Sequence, residues 1–120
     1  MGPVPLDRPH TPERKAVQRT CFTFTLKPGT EDEYKRRHDE IWPEMVEALH
    51  ESGIHNYTLF CRGLEVIAYA ECEPDAKTAF ARMGATDVDK RWSEWFEDVL
   101  ERRFDDAGRA MTVEEVWHLD

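Results

Sequence analysis

The amino-acid sequence predicts an α+β fold, in which helices pack against one face of a four-stranded antiparallel sheet. Two kinds of apolar spacing support this prediction. Some segments alternate apolar and polar residues, as half-buried strands do, and others repeat apolar residues every three or four positions, as amphipathic helices do. The order of these segments along a chain of 120 residues, a length typical of one domain, is the third observation.

The N-terminal segment is expected to lie outside this domain. Residues 1–16 contain four of the seven prolines in the chain. Proline fixes its own φ angle and has no N–H group, so such a segment neither pairs in a sheet nor forms a helix. We therefore expect a flexible tail over residues 1–16 and a single domain over residues 17–120.

The first predicted strand covers residues 17–27, where aromatic and aliphatic side chains alternate with small polar ones. A helix should follow, because Thr30 and Glu33 match a capping box, in which each side chain bonds the other residue's backbone N–H. This helix is predicted to run to about Ser52. Pro43 lies inside it and should kink it, since proline removes a helical hydrogen bond.

Two strands are predicted next, over residues 55–62 and 64–73, with a tight turn between them. A short helix that ends at Met83 and a longer helix over residues 88–104 follow, and each is preceded by a residue that can cap it. A last strand is predicted over residues 111–119.

The predicted order is therefore β-α-β-β-α-α-β, which is the ferredoxin-like pattern with its second helix split in two. Such a fold leaves the sheet face opposite the helices uncovered. Because an exposed apolar face is commonly covered by a second copy of the chain, we expect a homodimer that pairs sheet to sheet.

Composition and charge exclude several kinds of partner. The net charge is −9, which repels nucleic-acid backbones and anionic membrane surfaces. No apolar run reaches the ~18 residues of a membrane-spanning helix, and the N-terminus lacks the apolar core of a secretory signal. Three cysteines without a C-x-x-C motif are typical of a reduced protein, so we expect a cytoplasmic one.

The sequence gives no support for a metal or an organic cofactor. Its five histidines form neither an H-x-x-x-H nor an H-E-x-x-H motif, and no cysteine–histidine cluster has the spacing of a zinc site. It also lacks a glycine-rich phosphate loop and the nucleophile motif G-x-S-x-G. We therefore expect no metal site and no cofactor.

The first helix carries the strongest candidate for catalysis. Tyr34 and His38 are one turn apart, on the face predicted to pack against the sheet. The ordinary pKa of imidazole, about 6.5, suits proton transfer near neutral pH. A histidine on an inward face could equally be a hydrogen-bonded core residue, and the residue types alone leave both interpretations open.

Aromatic side chains favour a carbohydrate ligand. The apolar C–H faces of a sugar ring stack on aromatic rings, while hydroxyl and imidazole groups bind the sugar hydroxyls. Tyr57, Trp92 and Trp117 are the candidate aromatic partners. The alternative is that tryptophans simply fill a small core, and this interpretation is favoured for Trp42 and Trp95.

Four collinear motifs resemble those of the L-rhamnose mutarotase family. Residues 33–44 (EYKRRHDEIWPE) resemble its E-Y-x-R-R-H-x-x-I-W-P-E signature, and residues 53–57 (GIHNY) resemble its G-x-H-N-Y strand entry. Residues 86–92 (TDVDKRW) resemble its T-D-V-x-x-R-W segment, and residues 115–119 (EVWHL) resemble its closing E-V-x-x-L strand. The resemblance spans residues 19–119.

This resemblance implies a dimeric ferredoxin-like α+β barrel that interconverts the α and β anomers of a sugar without a cofactor. It implies that His38 is the catalytic proton donor, and we expect Tyr34 to be catalytic beside it, as a hydrogen-bond donor that orients the reacting groups. It also implies that Tyr34, Tyr57 and Trp92 contact the sugar. The substrate expected from it is a 6-deoxy sugar such as L-rhamnose.

Two departures from the family's pattern fall at this pocket. Ser93 stands where the family typically has the second tryptophan of a pair, so one aromatic wall is missing. Trp117-His118 stands where the family has a Phe-Tyr-like pair, so the floor of the cavity differs. We therefore include Ser93 and Trp117 among the candidate substrate-binding residues, and a fucose-like sugar is a second expected substrate.

Mutarotation opens a cyclic hemiacetal and recloses it on the other face. The sequence supports a hypothesis in which protonated His38 donates to the ring oxygen, while a water or a tyrosine-linked group takes the anomeric hydroxyl proton. Two alternatives stay open. One is a family member reassigned as an isomerase or cyclase on another small metabolite, and the other is a non-catalytic dimeric binding or scaffold protein.

Overall fold

A computed structural model describes residues 17–120, so the predicted tail over residues 1–16 lies outside the described residues. The described chain has an α+β architecture of four helices and a five-stranded antiparallel sheet. None of the helices in residues 17–120 has the length and apolar character that crossing a bilayer requires.

The sheet contains one strand more than predicted. Its strands are β1 (Gln18–Leu26), β2 (Ile54–Arg62), β3 (Glu65–Cys72), β4 (Leu100–Arg102) and β5 (Met111–Val113). Their order is β2-β3-β1-β4, and β5 also pairs with β1. β4 and β5 pair with different parts of the same edge of β1. Five strands form instead of the predicted four because two short strands pair with this edge. The turn between Phe104 and Ala110, which a bridge between these two residues closes, separates β4 from β5.

The helices are α1 (Glu31–Asp39), α2 (Pro43–Ser52), α3 (Ala76–Gly84) and α4 (Asp87–Trp95). The prediction of a single helix up to Ser52 is therefore wrong. Trp42 is extended, with φ −67° and ψ 135°, because the residue before a proline is driven out of the helical conformation. Pro43 begins α2, at a position where its missing N–H has no helical partner to lose.

The predicted capping box is also wrong. The Thr30 hydroxyl donates to the Lys27 carbonyl at 2.7 Å and makes no capping bond to α1. The Glu33 carboxylate accepts hydrogen bonds from Arg36 and Arg37 instead of reaching back to the start of the helix. Two cationic partners one turn away bind this carboxylate more strongly than a single backbone N–H would.

The C-terminal quarter differs most from the prediction. The helix predicted over residues 88–104 ends at Trp95, a turn follows over residues 96–99, and β4 comes next. The Lys27 N–H donates to the Val99 carbonyl at 2.8 Å, so this stretch pairs beside the end of β1 instead of continuing the helix. The strand predicted over residues 111–119 stops at Val113.

The core lies between the helices and one face of the sheet. β3 forms its centre, since Val66, Ala68, Ala70 and Cys72 are fully buried and alternate with partly exposed residues. Side chains from the helices and from the turn after α4 complete the core, among them Met45, Ala79, Met83, Phe96 and Val99.

The other face of the sheet, here called the outer sheet face, points away from the core. Cross-strand pairs place two kinds of side chain on it. The apolar and aromatic ones are Cys21, Phe60, Ile67, Tyr69, Met111 and Val113, and the polar ones include Arg19, Thr23, Thr58 and Glu71. Phe60 is 57% exposed and Val113 is 52% exposed. The outer sheet face therefore presents exposed apolar side chains among polar ones.

Candidate active site

A cleft of about 1420 Å³ lies between the helices and the core-facing side of the sheet. Five of the six site residues predicted from the sequence line it: Tyr34, His38, Tyr57, Trp92 and Ser93. The sixth, Trp117, does not line this cleft. Its side chain is 75% exposed, in the C-terminal segment that follows β5.

His38 is half-buried on the last turn of α1, with one ring nitrogen already bonded. Its Nδ1 lies 3.0 Å from the carbonyl oxygen of Tyr34, one turn earlier in the same helix. Because a carbonyl only accepts hydrogen bonds, Nδ1 carries the hydrogen, and Nε2 of a neutral ring holds a lone pair. Burial lowers the pKa of His38, and the bond to the Tyr34 carbonyl only partly opposes this shift. The neutral ring is therefore favoured at neutral pH.

Aromatic rings surround this imidazole. The ring centroid of His38 lies 4.5 Å from that of Tyr34, 5.4 Å from that of Trp92 and 5.2 Å from that of Phe96. These rings displace water from one side of the imidazole, which accounts for the burial that lowers its pKa. They also hold the ring in one orientation at the edge of the cleft.

Tyr34 supplies a hydroxyl that stays protonated. The side chain is 5% exposed and lines the cleft. Burial raises the pKa of its phenol well above the ordinary value, because the phenolate would be poorly solvated there. Tyr34 can therefore donate a hydrogen bond to a ligand over the whole range of physiological pH.

Tyr57 enters the cleft through an irregularity in β2. The pairing between β2 and β3 shifts its register between His55 and Thr58, and Asn56 has a φ angle of +48°. Such a bulge turns neighbouring side chains to new directions. The Asn56 amide donates to the Glu71 carboxylate at 2.7 Å. The Tyr57 ring packs instead within the cleft, where burial raises the pKa of its hydroxyl.

Helix α4 presents three side chains to the cleft at helical spacing, Asp89, Trp92 and Ser93, and Phe96 joins them from the turn that follows. Trp92 is 9% exposed, and its ring centroid lies 4.7 Å from that of Phe96. Asp89 was missed in the sequence analysis. Its position three residues before Trp92 and four before Ser93, on the same helical face, is the signal that could have found it.

Trp42 and Trp95 take the structural role predicted for them. Their rings stack on each other, with centroids 5.3 Å apart and planes 13° from parallel. Both are partly buried against the core, and neither lines the cleft. The prediction that these two tryptophans fill the core is confirmed.

Arg37 joins α1 to the C-terminal end of α4. Its guanidinium is buried and donates to the Trp95 carbonyl at 2.6 Å, to the Asp98 carboxylate at 3.0 Å and to the Glu33 carboxylate at 2.6 Å. Carbonyls in the last turn of a helix have no partner within that helix, so this bond also caps α4. The contact ties the helix that carries Tyr34 and His38 to the end of the helix that carries Asp89, Trp92 and Ser93.

Within residues 17–120, no cluster of three or more histidine, cysteine or acidic side chains has a geometry that could hold a metal ion. The three cysteines, Cys21, Cys61 and Cys72, are free thiols. Around His38, the cleft combines an imidazole that has a free lone pair with two protonated phenols and an aromatic wall, and the carboxylate of Asp89 lines the same cleft. That combination suits proton transfer to and from a polar, ring-shaped ligand.

Comparison with protein families gives one consistent result. A model of the L-rhamnose mutarotase family matches residues 19–119. An L-rhamnose mutarotase of Oceanobacillus iheyensis is 34% identical to this chain over 106 residues, which cover 87% of this chain and all of the relative. An L-rhamnose mutarotase of Lachnoclostridium phytofermentans is 32% identical over 102 residues, 85% of this chain and 98% of the relative.

A solved structure has the same fold. The crystal structure of an L-rhamnose mutarotase from Formosa agariphila superposes on this chain with a TM-score of 0.70. The superposition covers 86% of this chain and 99% of that one, at 22% sequence identity. The arrangement of helices and sheet described above therefore occurs in a protein of that name.

Proposed function

This chain belongs to the L-rhamnose mutarotase family, and on that premise we propose that it is an isomerase that interconverts the α and β anomers of a 6-deoxy sugar such as L-rhamnose. The observation that carries this function is the placement of His38. Its imidazole lines a cleft large enough for a monosaccharide, with one nitrogen bonded to the chain and the other left to act on a ligand.

The sequence-based hypothesis has protonated His38 donate a proton first. Because the neutral ring is favoured in the folded chain, we propose that His38 instead accepts a proton first. A neutral imidazole begins as a base, so Nε2 removes the proton of the anomeric hydroxyl. The electrons of that O–H bond form the C1 carbonyl as the bond from C1 to the ring oxygen breaks. The resulting imidazolium then gives its proton to the ring oxygen. Because both oxygens are bonded to C1, a single nitrogen can serve both.

Reclosure on the opposite face completes the reaction. The open-chain aldehyde rotates about the bond between C1 and C2, and the same two proton transfers run in reverse. Tyr34 and Tyr57, whose phenols stay protonated, would hold sugar hydroxyls, and Trp92 would stack on the apolar face of the ring. His38 returns to its neutral form, so no co-reactant is consumed.

We also propose that the protein is a homodimer, formed through the outer sheet face. The exposed Phe60 and Val113 side chains lie on that face, and an apolar surface of this kind is stabilised when a second copy covers it. Trp117, exposed in the single chain, is close in sequence to β5 at the edge of the same sheet. A cytoplasmic location is proposed as well, because it would keep the three free thiols reduced.

Anomer-exchange NMR tests the function directly. The wild-type protein should accelerate exchange between the α and β signals of L-rhamnose or L-fucose. His38→Asn should lower the catalysed rate by roughly 10²- to 10⁴-fold, the usual contribution of a general acid–base group. Asparagine can still donate to the Tyr34 carbonyl, so the variant should keep its fold. Lys35→Gln, an exposed change on the same helix, is the matched control and should exchange at the wild-type rate.

The outcomes separate the candidate functions. If neither sugar responds but another metabolite is bound and converted, the protein is a reassigned enzyme, for which Ser93 in place of an aromatic wall provides room. If the folded His38→Asn variant is as active as the wild-type protein, His38 is not the catalytic group. If no ligand binds at all, a scaffold role replaces the enzymatic one.

A further inference from the structure

Asp89 is a cleft carboxylate that has no side-chain partner within residues 17–120. It lies in the first turn of α4, half-buried, and lines the same cleft as His38. Within residues 17–120 its carboxylate makes no hydrogen bond and no ion pair; only its backbone N–H is bonded, to the Thr86 hydroxyl at 3.2 Å. A half-buried carboxylate loses hydration, and this loss is recovered only when donors replace the water.

The surroundings of Asp89 contain the elements of a sugar-binding surface. Trp92 and Ser93 follow it by three and four residues, so a carboxylate, an indole face and a hydroxyl lie side by side on one helical face. Both Asp89 and Tyr57 line the cleft, and the negative charge of Asp89 adds to burial in raising the pKa of Tyr57. Neither group bonds the other in the described chain.

Arg103 is a possible alternative partner of Asp89. It lines the cleft, and its positive charge opposes the rise in the pKa of Asp89 that burial causes. The two side chains nevertheless form no salt bridge, and the guanidinium lies over the Phe104 ring at 5.1 Å. The carboxylate is thus positioned for a ligand from the cleft, with Arg103 as a second, more distant charge.

We propose that Asp89 is a specificity-determining residue, which accepts hydrogen bonds from two neighbouring hydroxyls of the bound sugar while Trp92 packs against the ring. A carboxylate has two acceptor oxygens in one plane, which match the two donors of a vicinal diol. Ser93, in place of a larger side chain, leaves room beside the ring for this contact. This role rests on the proposed function, because it concerns the sugar on which His38 acts.

The role predicts which kinetic constant changes. Asp89 touches hydroxyls that do not react, so its contacts are made equally in the ground state and the transition state. Asp89→Asn should therefore raise KM roughly 10- to 100-fold, the loss expected for hydrogen bonds to a charged group, and change kcat much less. Glu94→Gln, on the exposed side of α4, is the matched control and should leave both constants unchanged.

Deoxy sugars locate the contact. The wild-type protein and the Asp89→Asn variant are compared on L-rhamnose and on its 2-, 3- and 4-deoxy analogues by anomer-exchange NMR. The penalty of the variant should shrink for two analogues whose missing hydroxyls are adjacent, and persist for the third. An equal penalty on all four sugars overturns the role. Asp89→Ala, with thermal unfolding measured in parallel, gives the same test should the asparagine variant be unstable.

Two further outcomes are decisive. If Arg103→Met reproduces the loss and the double variant adds nothing to it, Asp89 acts through Arg103 and the role is overturned. If the wild-type protein accelerates no exchange, the proposed function fails, and the dissociation constants of the same four sugars, from tryptophan fluorescence, then decide the role of Asp89. The same pattern in the dissociation constants supports the role, and equal penalties overturn it.

Discussion

At the scale of single residues, His38 owes its expected chemistry to its surroundings in the folded chain. Its nearest groups are the rings of Tyr34, Trp92 and Phe96, which exclude water, and a backbone carbonyl, which occupies Nδ1. Helical spacing was enough to predict that Tyr34 and His38 share a face. Whether the imidazole is neutral or protonated depends on its burial, and no local pattern in the sequence reveals that burial.

The lowered pKa of His38 predicts the pH dependence of the reaction. The reactive form is the neutral base, so the enzymatic rate should be constant above the ordinary pKa of about 6.5. It should fall only at lower pH, as the pH passes through the lowered pKa of the folded protein. Anomer-exchange NMR between pH 5 and pH 8, corrected for the uncatalysed rate, measures this profile. A catalysed rate that rises as the pH falls would show that the imidazolium is the reactive species.

The local sequence around Asp89 does not predict its place in the cleft. Acidic residues near the start of a helix are normally accounted for by their interaction with the helix dipole. Asp87 and Asp89 look alike in that respect, and only the folded structure separates them. The side chain of Asp87 is 92% exposed and lies 3.6 Å from Arg91, while Asp89 turns into the cleft.

At the scale of elements, the differences from the prediction lie at a proline and at the edges of strands. Pro43 begins α2 instead of kinking a longer helix, because its effect on Trp42 separates the two helices. The bulge at Asn56 and Tyr57 follows from pairing with β3, so the sequence of β2 alone does not fix it. β4 has only three residues, too few for an alternating pattern to be recognised.

Arg37 is the contact between elements with the largest expected effect on stability. Arg37→Met removes three hydrogen-bonded contacts and leaves the Trp95 carbonyl without its partner. We expect the free energy of unfolding to fall by about 1–3 kcal/mol, the cost of breaking charge-assisted bonds of a buried group. The sugar exchange rate should fall too, because α1 and α4 are no longer held together. Chemical denaturation and NMR measure the two effects.

Arg36→Met is the matched control for this prediction. Arg36 also bonds Glu33, and the two arginines, with Arg36 the larger cause, lower the pKa of Glu33 to about 2. Arg36 is exposed, however, and its ion pairs within residues 17–120 go to Glu33 and Glu40, not to α4. Its loss should therefore destabilise the protein clearly less and leave the exchange rate unchanged. Equal effects of the two substitutions would contradict the bridging role of Arg37.

At the scale of the whole molecule, the sheet has two faces with different roles. One face and the helices enclose the core and the cleft, while the outer sheet face carries apolar side chains toward the surroundings. The sequence predicted this two-sided arrangement because its strands alternate. It did not predict the fifth strand. Whether β4 and β5 are separate strands depends on how residues 104–110 fold back toward β1.

The outer sheet face gives a test of assembly. The wild-type protein should have twice the mass of the 14.1 kDa chain in sedimentation experiments. Phe60→Glu places a charge among the apolar side chains of this face, on strand β2, and should give the mass of a single chain, because a charge buried without a partner opposes association. Ala81→Glu, on the exposed side of α3, should remain dimeric. A monomeric wild-type protein, or a dimeric Phe60→Glu variant, would rule out this interface.

The bond between His38 and the Tyr34 carbonyl also bears on how such a cleft can change over evolution. The acceptor belongs to the main chain, so no substitution at position 34 removes it while the helix persists. Side chains around a ligand can then be exchanged one after another to suit a new sugar, and the imidazole keeps its hydrogen on the same nitrogen throughout. The reactive nitrogen is thereby retained as long as the helix is, while the selectivity for a ligand can change.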